Sequence, residues 1–136
     1  MSEASIRAQI CSAESQIDGC NAYIEQLQEK IERLKKVKPA VSEIKSEVYS
    51  REMEVHQGIM AQICWVGENK RGYDAIAEQQ LFPSYKAYYD GVDEILDSIN
   101  DEITRMENEI YEQQGIIGKL RSWINSLWNE LCNFFN

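Results

Sequence analysis

The chain has 136 residues, 43% hydrophobic and 27% charged, which is one domain's worth of material with a core of its own. Twenty-three acidic against fourteen basic residues leave a formal charge of −9, which repels phosphate backbones and excludes nucleic acid as a partner. Two prolines and seven glycines are too few for the turns of an all-β sandwich or barrel, so the chain is expected to be helical throughout.

The opening Met1-Ser2-Glu3-Ala4-Ser5 has neither a basic nor an apolar signal region, and no apolar run approaches the roughly 20 residues of a membrane span. No Sec signal peptide and no stable membrane insertion are therefore expected, and the chain is read as cytoplasmic at synthesis. From Ile6, alternating steps of four and three meet Ile10, Ala13, Ile17, Cys20, Ile24, Leu27, Ile31 and Leu34, an unbroken apolar seam. Val37 then comes one step early, before Val41, Ile44 and Val48, and Pro39 lies beside this skipped beat, so a kink or short break is expected near residues 35–39. Farther on the seam weakens, with Arg51 on it, before Val55, Ile59 and Ile63 lead to Trp65.

Two glycines close together, Gly67 and Gly72, supply the backbone freedom of a reversal at the middle of the chain. The second arm carries Phe82, Tyr85, Tyr89, Val92, Leu96, Ile99, Ile103, Met106, Ile110, Gln113, Ile117, Leu120, Ile124, Leu127, Leu131 and Phe134 at the same spacing, with Gln113 the polar exception. Pairing Ile6 with Phe134, and Leu34 with Met106, puts the two seams in register about a centre near residue 70. The expected fold is a single all-α domain: a long antiparallel, coiled-coil-like hairpin with arm one at about 3–64, a turn at about 65–73 and arm two at about 74–134.

Two helices cannot cover every apolar residue of this sequence. Tyr88, Ile95, Ile116 and Trp123 form a further column beside the second seam, and Trp128 and Phe135 add apolar surface near its end. Surface of this kind marks association, so self-association into a four-helix bundle is expected, with these six residues as the partner-binding set.

Chemistry finds little purchase. The single histidine, His56, has no second imidazole or cysteine close in sequence, so neither a metal site nor a cofactor is expected, and no catalytic residue is assigned. Four cysteines without a Cys-x-x-Cys read as reduced thiols; Cys11 and Cys132 come near one another across the hairpin, and a disulfide between them stays open.

Trp65-Val66-Gly67 at the midpoint of an acidic hairpin, followed by Tyr73, resembles the WXG superfamily of small type VII secretion proteins along the whole chain. In that superfamily the tryptophan helps to form the turn that partners see, which implies a turn motif of Trp65, Gly67, Gly72 and Tyr73. The family's export signal, Tyr-x-x-x-Asp/Glu, has its one counterpart at Tyr89 and Asp93. With its longer acidic arms the chain looks most like the small helical partners of LXG-type toxins of Gram-positive bacteria. The resemblance implies a non-enzymatic partner, acting as a targeting chaperone that binds the toxin's helical N-terminal domain, together with a second small helical protein, and is itself a candidate for type VII export. The other reading is a self-associating coiled-coil adaptor without a secretion role.

Overall fold

The computed structural model describes residues 2–61 and 67–136, and the fold is all-α. Helix α1 spans Glu3–Ala61, α2 spans Glu68–Ile76, a π-helical turn occupies Ala77–Leu81, and α3 spans Phe82–Phe135. The first helix starts on a polar cap: the Ser2 hydroxyl accepts a hydrogen bond from the Ser5 amide at 3.1 Å, satisfying a donor that the helix itself cannot. Glu3, in that first turn, favours the positive end of the helix dipole and pairs with Arg7 one turn on.

Pro39 lies inside α1, so of the kink or short break expected near residues 35–39 the break is not found. Residues 35–40 are all exposed, so water can satisfy the carbonyl whose amide partner the proline removes.

The chain divides into two compact units, Met1–Arg33 with Glu102–Asn136, and Leu34–Asp101. In the first unit the two helix segments run antiparallel, with Ile6 and Ile10 packed on Leu127 and Leu131 and Ile124 laid against them. Its buried seam continues through Ala13, Ile24, Leu27, Ile31, Ile103, Met106 and Ile117, as the heptad spacing requires. Phe134 departs from that seam and is 55% exposed.

In the second unit α1 and α3 are again antiparallel. The facing pairs Lys45 with Asp93, Tyr49 with Tyr89 and His56 with Phe82 each straddle position 69, close to the centre that the two seams predict. The core is thin: Ala77, Val92 and Ile99 are the buried apolar residues among those described.

The skipped beat is also corrected. The spacing of α1 continues unchanged past Leu34, turning Val41, Lys45, Val48, Glu52 and Val55 half inward, while Val37, Ile44 and Arg51 stay exposed. A continuous helix has no means of advancing its phase by one residue, so Lys45 and Glu52 occupy positions that hydrophobicity alone would give to their neighbours.

The expected turn at 65–73 is too long at its far end. Helix α2 begins at Glu68, so Gly72 and Tyr73 are exposed helical residues. Gly67, just before α2, has φ 116° and ψ −169°, a conformation closed to residues with a Cβ. Cys64 and Trp65 lie outside the described residues.

Candidate partner-binding surfaces

Helix α3 offers two flanks, one on each side of its buried seam. On the first flank, at seven-residue spacing, stand Tyr88, Ile95, Glu102, Glu109, Ile116 and Trp123. Tyr88 and Ile95 in the second unit are exposed, as are Ile116 and Trp123 in the first. The column expected from sequence is thus interrupted by two carboxylates at its centre.

Those carboxylates are engaged within the first unit. Arg105 forks onto both oxygens of Glu102 and reaches Glu109 with its remaining terminal nitrogen. The other oxygen of Glu109 accepts a hydrogen bond from the Tyr23 hydroxyl of α1 at 2.6 Å. The bidentate Arg105 contact, with Lys30 adding a weaker attraction, holds the Glu102 carboxyl below its usual range. The bond to Glu109 favours the protonated phenol and raises the Tyr23 hydroxyl above the usual tyrosine value.

An apolar groove adjoins Tyr88. Val48 of α1 with Leu81, Ser84, Tyr85 and Tyr88 lines it; its volume is about 330 Å³ and it is almost wholly apolar. On the other side of the same unit, Tyr49, Glu52, Phe82, Lys86 and Tyr89 are among the residues that line a wider groove of about 500 Å³.

The candidate export residues, Tyr89 and Asp93, are tied to α1. Asp93 hydrogen-bonds Lys45, whose ammonium lies 4.7 Å from the centre of the Tyr89 ring, while Tyr49 meets that ring at 6.4 Å. Asp93 chiefly, helped by Tyr89, holds the Lys45 ammonium above the usual lysine range. Lys45 and Tyr49 escape a reading based on hydrophobicity, but both follow from carrying the seven-residue spacing through the polar part of α1. His56 stacks on the Phe82 ring at 3.8 Å with its Nε2 3.8 Å from Glu52. Among the described residues no cluster of histidine, cysteine and carboxylates could hold a metal ion.

The second flank of α3 in the first unit carries Trp128, 43% exposed, and Phe135, 63% exposed, two turns apart. Phe134 meets Phe135 edge to face at 5.8 Å, and both rings stand in water. Cys11 and Cys132 are exposed free thiols, not a disulfide, and Cys20 is a half-buried one. Turn residues Gly67, Gly72 and Tyr73 are exposed.

Among the described residues no helix is long and apolar enough to cross a membrane. A family model described as YwqH-like matches residues 4–129, nearly the full length of the chain. No curated protein and no solved structure matches it.

Proposed function

This chain belongs to the YwqH-like family, and on that premise we propose that it is a small non-enzymatic partner of type VII secretion, a targeting chaperone for the helical N-terminal domain of an LXG-type toxin. The observation that carries the reading is the first flank of α3, where large apolar side chains stand in water at helical spacing: Tyr88 and Ile95 in one unit, Ile116 and Trp123 in the other. An amphipathic helix laid against either pair buries its own apolar face and covers those two side chains, the helix-in-groove mode of recognition. The groove between Val48 and Tyr88 gives that helix a seat for a protruding side chain.

The acidic character of the chain supports the same reading. A charge of −9 disfavours close approach of acidic chains and speeds encounter with a helical domain whose polar face is basic. The carboxylates Glu102 and Glu109, already held by Arg105 and Tyr23, fix the registry of the partner helix, because its apolar contacts must leave room for them. Export of the chain with its toxin and the presence of a second small helical protein belong to this proposal.

Co-expression with the helical N-terminal domain of a toxin encoded beside this gene tests it. The two proteins are expected to purify as a complex, and the double change Tyr88→Glu with Ile95→Glu is expected to weaken it at least tenfold while leaving helicity intact. Absence of a complex with that domain, together with undiminished toxin export from a strain lacking this gene, would sink the proposal.

A further inference from the structure

The second flank of α3 is chemically unlike the first. From Gly115 to Asn136 the sequence carries only Lys119, Arg121 and Glu130 as charged residues, two basic against one acidic, so the negative charge of the chain lies almost entirely elsewhere. Beside the exposed Trp128, Phe134 and Phe135 stand the small or neutral Ser122, Asn125, Ser126, Asn129 and Cys132. By heptad spacing the flank also takes Arg121 of α3 and Arg7 and Glu14 of α1, and Arg7 pairs with Glu3 at 2.9 Å, so its charges of both signs nearly cancel. Two copies of a chain at −9 repel each other over most of their surface, and that repulsion is weakest here.

We propose that this flank is a homodimer interface, with a second copy of the chain as its occupant. Trp128 and Phe135 are seven residues apart, so a two-fold axis crossing α3 between Leu131 and Cys132 sets Trp128 of one copy beside the partner's Phe135, and the reverse. Antiparallel α3 helices then interdigitate their rings, and the small neighbours allow close approach. The exposed parts of the three aromatic residues come to roughly 350 Å² on each copy, the apolar centre of an interface whose smallest stable examples bury roughly 600 Å² per copy, so the small and neutral neighbours supply the remainder. An isologous contact needs a self-complementary patch, and alternating ring and small side chain supply one.

The interface requires no toxin, so its test is independent of the secretion reading. Sedimentation equilibrium of the purified full chain is expected to show the mass rising from 15.8 kDa toward double as concentration increases to about 200 µM, a range that covers micromolar affinity. Trp128→Glu with Phe135→Glu should hold the chain monomeric with unchanged helicity, whereas Trp123→Glu, on the other flank, should leave the dimer intact. Oxidation with diamide should link the dimer covalently, and Cys132→Ser should remove that link while Cys11→Ser does not. A monomer throughout the range overturns the proposal, as does a dimer insensitive to the Trp128 and Phe135 changes. Monomer that sediments with phosphatidylglycerol vesicles through Trp128 would assign the flank to lipid instead, and monomer whose Trp128 is shielded only by the toxin domain would assign it to that domain.

Discussion

The two units use the same pair of helices to opposite ends. In the first, the seam is apolar from Ile6 to Ile31 and, but for Gln113, from Ile103 to Leu131, and the charged residues are kept to its flanks. In the second, Lys45 and Glu52 turn half inward, the described core shrinks to Ala77, Val92 and Ile99, and grooves open on both sides of the helix pair. Burial stabilises by about 25 cal/mol per Å² of apolar surface, so among the described residues the first unit carries the larger share of apolar stabilisation.

The largest effect is expected where the seam is tightest. Met106→Ala should cost about 2–4 kcal/mol in chemical denaturation, whereas Ile44→Ala, at an exposed position, should change stability by under about 0.5 kcal/mol. Equal losses would break the contrast, because they would mean that Ile44 is packed.

Gly67→Ala comes next. Its φ of 116° with extended ψ is strained for any residue carrying a Cβ, and a loss of about 1–3 kcal/mol is expected, read from the denaturation midpoint.

Gly115→Ala and Gly118→Ala should move the other way, each stabilising by about 0.5–1 kcal/mol, because a Cβ at either place meets nothing within 4 Å. A loss at Gly115 or Gly118 would reveal a close approach that the isolated chain does not show.

The smallest effects separate the units by pH. Arg105 depresses the Glu102 carboxyl, so its contribution is complete above the unfolded-state value and is lost as pH falls through the lower folded value. Tyr23 and Lys45 are raised, so theirs are complete below the unfolded-state values and are lost as pH rises through the higher folded ones. Side-chain carbon shifts of Glu102 should therefore titrate below the ordinary glutamate range, and Arg105→Ala should restore it. Amide protection factors in the second unit, taken relative to intrinsic base-catalysed exchange, should fall at alkaline pH as Lys45 loses its charge, and Lys45→Ala should lower them already at neutral pH.

What the sequence made legible follows the same division. Where the seam was apolar but for Gln113, periodicity alone located the core, the antiparallel register and the exposure of Tyr88, Ile95, Ile116, Trp123, Trp128 and Phe135. From Val37 onward it failed, because apolar Val37 and Ile44 drew the eye away from the true phase, which runs through Lys45 and Glu52. A lysine can occupy such a position by laying its stem along the seam and its ammonium against Asp93 and Tyr89, a contact no hydrophobicity pattern encodes. Gly72 and Tyr73 were misplaced for a related reason: glycine marks a reversal only where its backbone leaves the helical region, as Gly67 does and Gly72 does not.

The π-helical turn at Ala77–Leu81 gives the chain a reserve of length. A π turn closes over one more residue than an α turn, so it holds a surplus residue without displacing the helix that follows. Removing Gln79 would let the turn relax to ordinary α-helix with the segments on either side keeping their faces. Tyr73 and Ile76 would stay turned to water, and the heptads of α3 would keep their count. A change of one residue in length here is thereby uncoupled from the long seam, which keeps the same register.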